Sequence, residues 1–101
     1  MVAPREIQNV EDLREFLRRF VLGRRVRIYL FGSRARGDST ETSDVDLALE
    51  GPPEEVRRLL VELSEICEES CLPQKVDLVD LNLVEESFRQ RVRKEGILWA
   101  P

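Results

Sequence analysis

Residues 25–49 read RVRIYLFGSRARGDSTETSDVDLAL, and the fold turns on them. From 25 to 31 the side chains alternate, with Val26, Ile28 and Leu30 on one side and Arg27, Tyr29 and Phe31 on the other, the period of a strand. The strand stops at Gly32. Residues 32–43 hold two glycines and a run of Ser, Thr and Asp with no apolar periodicity, which predicts a turning loop at the strand's end. Alternation resumes from 44 to 49: Val45, Leu47 and Leu49 share one face, Asp44, Asp46 and Ala48 the other. The second strand therefore carries an acidic face.

Working outward, Val10, Leu13, Phe16, Leu17, Phe20 and Val21 recur at helical spacing, with Asn9 as N-cap and Gly23 as the stop, so a helix is expected over 9–21. Downstream, Gly51-Pro52-Pro53 breaks the chain before an amphipathic helix over 54–71, whose stripe is Val56, Leu59, Leu60, Leu63, Ile66 and Cys67, closed by Pro73. Residues 75–81 read as a third strand, with Val76 and Leu78 on one face and Asp77 and Val79 opposite. A last helix over 84–94 ends before Gly96, and Ile97-Leu98-Trp99 follows as a terminal strand packing on the core, with an exposed interface anchor as the alternative. This order predicts an α/β (α+β) fold: a small mixed sheet of three to four strands, with helices packed on the face bearing Val26, Val45 and Val76 and the acidic face left open.

With 101 residues, 42% of them apolar and 36% charged, a single domain over 1–101 with a modest core is expected. A net charge of −4 argues against a dedicated nucleic-acid binder, which needs a basic excess to neutralise phosphates. No apolar run reaches the roughly 18 to 20 residues of a membrane span, and residues 1–10 lack the basic-then-apolar order of a signal peptide, so a cytoplasmic location is expected. Cys67 and Cys71 would lie four apart on one helix face without the partners of a zinc site, and read as compact apolar thiols. Histidine is absent, which excludes histidine acid/base catalysis. The run Arg89, Arg91, Arg93, Lys94 reads as a solvated helix face, with partner contact as the alternative. Tyr29, the sole tyrosine, falls by parity on the open face, where self-modification is not expected.

The chemistry-bearing residues cluster in the opening stretch. Asp44 and Asp46 stand at i and i+2 on a strand, so their carboxylates point the same way from Cα atoms about 6 to 7 Å apart. Like charges held together on an otherwise apolar strand are costly unless a cation lies between them. Mg²⁺, a hard ion that takes one or two carboxylates plus phosphate oxygens and water, suits the pair. Asp77 joins them if its strand lies beside the second, whereas Asp80 has the opposite parity and is assigned a turn role. Gly32-Ser33 lets backbone approach a phosphate and adds a hydroxyl donor. Arg34 and Arg36 flank it as candidates to neutralise triphosphate charge, and Gly37 supplies a second turn.

The run FGSRARGDSTETSDVDLAL, with Gly32-Ser33, ten intervening residues and then Asp44-Val45-Asp46, resembles the nucleotidyltransferase superfamily related to DNA polymerase beta. Within it the chain looks most like the minimal nucleotidyltransferases, from the first helix to Trp99. The resemblance implies a nucleotidyltransferase-like fold, with Gly32 and Ser33 as the phosphate-gripping pair, Arg34, Arg36 and Gly37 in the family's GSRARG stretch, and Asp44, Asp46 and Asp77 as metal-binding and catalytic carboxylates. It further implies transfer of a nucleoside monophosphate, AMP from ATP, to a hydroxyl across two Mg²⁺ ions, with Asp77 helping to accept the proton. Minimal nucleotidyltransferases are similar to antitoxins whose partner is a helical HEPN-type toxin inactivated by adenylylation of a tyrosine, so a hetero-oligomer with such a toxin is expected. Two competing expectations are a non-catalytic antitoxin that neutralises by binding alone, and an RNA- or small-molecule-modifying nucleotidyltransferase, which the acidic balance disfavours.

Overall fold

The structure is a computed structural model that describes residues 3–101; Met1 and Val2, part of the amino-terminal stretch read above for a signal sequence, lie outside the described residues. After a 3₁₀ turn at Pro4–Glu6 come α1 (Val10–Phe20), β1 (Arg27–Phe31), α2 (Ser33–Arg36), β2 (Val45–Glu50), α3 (Pro53–Glu69), β3 (Val76–Asp80), α4 (Glu86–Glu95) and β4 (Ile97–Ala100). The four strands form one mixed sheet in the order β3-β2-β1-β4. β1 runs antiparallel to β2 and β4. β2 and β3 are parallel, which requires a crossover, and α3 supplies it.

Local signals set the elements. The Asn9 side chain accepts from the Asp12 amide at 2.8 Å, the N-cap expected of it, and Leu13 and Leu17 bury one stripe of α1. α3 starts with Pro53 in its first turn, where a missing N–H costs nothing, and buries Val56, Leu59 and Leu63. These stripes meet Ile28, Leu30, Val45, Leu47 and Leu49 in the main core, which Trp99 and Ala100 of β4 complete. The terminal strand is thus the core element expected of Ile97-Leu98-Trp99, although Ile97 and Leu98 themselves remain exposed.

Two details differ from the sequence expectation. The four-stranded mixed sheet and the placement of α1 and α3 follow it, but α4 lies on the opposite face. There Ala48, Leu81 and Val92 form a second small core with Tyr29, Phe31, Val84 and Phe88. The apolar side chains of Tyr29 and Phe31, on the same face as the aspartates, need cover, and α4 gives it while leaving the β3 side open. α3 also ends at Glu69 rather than running through Cys71: the Ser70 hydroxyl donates to the Cys67 carbonyl at 2.7 Å, and the Cys71 amide leaves to bond Ile7 O at 2.9 Å. The cysteines therefore do not share a helix face; burial pushes the Cys67 thiol up in pKa, keeping it protonated. Among the described residues no helix is long and apolar enough to cross a membrane.

Candidate active site

Directly after β1, Gly32 takes φ 77° and ψ −154°, a region L side chains rarely enter. A Cβ there would collide with Asp46 Oδ2. The turn is thus pressed against a carboxylate, and glycine is demanded twice over, by conformation and by space. The next four residues wind a single helical turn, α2: the Ala35 and Arg36 amides both donate to Gly32 O at 3.1 Å, and Gly37 and Asp38 donate to Ser33 O at 3.0 and 3.1 Å. Gly37 ends it at φ 84°. The sequence expectation was an irregular loop here; a four-residue helix set by backbone bonds between two glycines has no apolar period to read. Its leading amides lie ahead of the first intrahelical bonds, where they can meet an anion.

The strand register brings the carboxylates to this turn. Asp46 is flanked across the sheet by Phe31 of β1 and Asp77 of β3. Neighbouring strands lie about 4.8 Å apart, so the two aspartates share one face at contact range. Asp44 is exposed one residue before β2. Partial burial, then the charges of Asp77 and Asp44, then contact with Asp77, hold the Asp46 carboxyl above its usual pKa, with Arg36 opposing. Asp77 is paired with Lys75 Nζ at 3.5 Å, a partner that sequence reading did not single out although it stands two residues away, just before β3. Asp80 serves the turn instead, accepting from the Asn82 amide at 2.8 Å and from Asn82 Nδ2 at 3.0 Å. Among the described residues no three acidic, cysteine or histidine side chains already converge as a metal cage. The donor chemistry nonetheless fits a divalent cation: hard oxygens on adjacent strands, and a crowded carboxylate whose repulsion a cation relieves.

Arg34 and Arg36 part ways. The Arg34 guanidinium donates to the carbonyls of Ser43 at 3.0 Å, Glu41 at 3.2 Å and Thr40 at 3.3 Å, fastening the segment that delivers Asp44 into β2. Gln74 Nε2 holds the same segment through Glu41 O at 2.9 Å. Arg36 is exposed, pairs with Asp38 at 3.3 Å and lies close enough to Asp46 to influence its charge. Beside the turn opens a cavity of about 230 Å³ walled by Phe31, Gly32, Arg36, Phe88, Arg91 and Glu95 among others. Sequence reading placed Arg91 only in a basic run and passed over Phe88 and Glu95. The spacing Phe88, Arg91, Val92, Glu95 is nevertheless the i, i+3, i+4, i+7 face of one helix.

The family profile described as polymerase beta nucleotidyltransferase matches residues 11–99, from α1 to β4. The chain belongs to this family. The chain is also similar to a probable protein adenylyltransferase, MntA, of Haemophilus influenzae, at 41% identity over 69 residues, 66% of this chain. That match spans 59% of the length of the curated relative. Among solved structures it resembles a toxin-antitoxin crystallised with AMP-PNP, at TM-score 0.55 and 26% identity over 89% of this chain and 72% of the other. A mutant of the MntA-HpeT toxin-antitoxin is similar at TM-score 0.55 and 28% identity, covering 90% of this chain and 72% of that one. These likenesses bear out the nucleotidyltransferase-like fold and the resemblance stated from the GSRARG and Asp-Val-Asp residues.

Proposed function

We propose that this nucleotidyltransferase moves AMP from ATP to a hydroxyl of a partner protein, a tyrosine of a HEPN-type toxin, and thereby acts as its antitoxin in the cytoplasm. The observation that carries this is the seating of Asp46 against the Gly32 backbone with Asp77 at its side: a glycine turn and a pair of carboxylates meet on one sheet face. The relative named as a protein adenylyltransferase and the toxin-antitoxin solved with AMP-PNP support the choice of donor and acceptor.

In this proposal the Gly32-Ser33 amides and the Ser33 hydroxyl grip the β- and γ-phosphates, and Arg36 swings from Asp38 to neutralise them. Asp44, Asp46 and Asp77 would hold Mg²⁺, which when bound stabilises charge on the attacking and leaving oxygens. With pyrophosphate leaving on the side of the turn, the acceptor hydroxyl comes from the opposite, Asp77 side. Its oxygen bonds to the α-phosphorus as the bond to pyrophosphate breaks, and Asp77 takes the proton. Arg34, engaged with three loop carbonyls, positions Asp44 and does not touch the phosphates.

The test is transfer of label from α-phosphate-labelled ATP to the co-purified partner in Mg²⁺. Asp44→Asn with Asp46→Asn is expected to abolish transfer while the complex still forms. Transfer at the wild-type rate would overturn the enzymatic assignment and leave neutralisation by binding alone.

A further inference from the structure

β3 forms one edge of the sheet, and among the described residues no strand pairs with its outer side. Two hydrogen bonds at its ends fix which of its groups face outward. Lys75 O accepts from the Val45 amide at 2.9 Å, and the Leu81 amide donates to Leu49 O at 3.0 Å, so residues 75 and 81 turn their backbone toward β2. Alternate residues of a strand direct their backbone groups to opposite sides. Asp77 and Val79 therefore also serve the ladder with β2, while Val76 and Leu78 point amide and carbonyl away from it. All five residues of β3 are half-buried, whereas four of the six in β2 are buried.

A row of free N–H and C=O groups is a template for another strand, and proteins with no use for such an edge cover it, bulge it or keep it short. This edge belongs to the strand that carries Asp77, on the side from which the acceptor hydroxyl comes. The other edge, β4, lies two strands away from the strand of Asp46. A segment added to β3 continues the pleat, so every second side chain of it stands on the face of Asp77.

Charge indicates what the segment is made of. Residues 38–80, which supply β2, α3 and β3, hold thirteen of the twenty acidic residues and only three of the sixteen basic ones. Glu41, exposed, is tied close to the start of β3 by Gln74 Nε2. A second copy paired through the same edge would set two acidic halves together, and like charges across a strand pair are destabilising. A basic segment meets the opposite sign, which speeds encounter and fixes register.

We infer that the free edge of β3 is the docking strand for the acceptor protein: an extended, basic segment of it adds to β3 through the Val76 and Leu78 backbone and brings its hydroxyl-bearing side chain to the face of Asp77. The part played by that hydroxyl rests on the nucleotidyl-transfer proposal above.

Amide hydrogen exchange, followed residue by residue by NMR on the full chain alone and with the co-purified partner, tests this. The Val76 and Leu78 amides should exchange fast in the free chain and slow about tenfold or more in the complex, while Asp77 and Val79 are slow in both. The partner segment that gains protection alongside them should carry net positive charge. Val76→Pro removes one outward amide and no ladder donor, a change that the first residue of an edge strand tolerates. It should raise the KM for the partner about three- to tenfold, the scale of one hydrogen bond, with kcat and ATP binding unchanged. Val76 and Leu78 amides that stay fast in the complex, a protected partner segment that is neutral or acidic, or a KM that a folded Val76→Pro leaves unmoved overturns the docking strand; label transfer in the same complex then keeps the enzymatic proposal standing. Protection that grows in the free chain as its concentration rises assigns the edge to a second copy and overturns it as well. Protected amides in a complex that transfers no label uphold the docking strand and count against the nucleotidyl-transfer proposal alone.

Discussion

The two faces of the sheet differ in what they are for. On one, Ile28, Val45, Leu47 and Leu49 are fully buried under α1 and α3, and among the described residues no buried polar side chain joins them. On the other, Tyr29, Phe31, Asp46 and Glu50 are only half-buried, and α4 covers part of the surface with Val92 as its one buried residue. Polar contacts also tie α4 down, Arg93 to Glu50 at 2.7 Å and Arg89 Nε to Leu81 O at 2.9 Å. One side of a single four-stranded sheet therefore carries the stability, and the other is left less filled, with the carboxylates open to a ligand. The period-2 alternation of β2 makes this possible, since Leu47 and Asp46 are neighbours in sequence and opposites in environment.

Replacing these neighbours in turn tests the division. Leu47→Ala opens a cavity in the main core and should cost about 2 to 5 kcal/mol, the largest stability loss expected of any single change discussed here, read as a shifted midpoint in urea unfolding. Its surviving folded fraction should still bind ATP. Gly32→Ala forces φ 77° on a residue with a Cβ and drives that Cβ into Asp46, a smaller cost of about 1 to 3 kcal/mol, but nucleotide binding should be lost in protein that is still folded. A Gly32→Ala protein that binds ATP normally would show that the turn and the carboxylates are not one site.

Much of this was legible before any coordinates. The alternation in residues 25–31, 44–49 and 75–81 placed three strands, and the parity of Asp77 against Asp80 put Asp77, as the register does, on the face of Asp46, because strand side chains have only two directions to choose from. What was missed has a common cause. α2 is shorter than the period by which helices are recognised, and the loop-clasping role of Arg34 depends on carbonyls six to nine residues away, which no side-chain pattern records. The side of the sheet that α4 covers is likewise decided by tertiary demand. Tyr29 and Phe31 are apolar enough to require a lid, yet their alternation with Ile28 and Leu30 reads as a strand with a single buried face. Phe88 and Arg91 fell within the helix expected over 84–94, and Glu95 just past its end though inside the observed helix, but none gave a motif until the turn at Gly32 was set against them.

The smallest expected effect has the opposite sign to the others. Burial and the neighbouring charges of Asp77 and Asp44 raise the Asp46 pKa in the folded chain above its unfolded value. The native state thus binds a proton at this position more tightly than the unfolded chain does. At neutral pH, where Asp46 is ionised in both states, its charge disfavours the fold; that penalty fades as pH falls through the raised folded pKa toward the unfolded value, and below both it is gone. Asp46→Asn should therefore raise the melting temperature in chelator at neutral pH, and the margin over wild type should close under acid conditions. Adding Mg²⁺ should reverse the ranking, since a cation that binds the folded wild-type site stabilises it by mass action and the asparagine variant lacks the ligand. An Asp46→Asn protein that melts below wild type in chelator would mean that this carboxylate supports the fold, and that the acidic face is packed for stability like the face behind it.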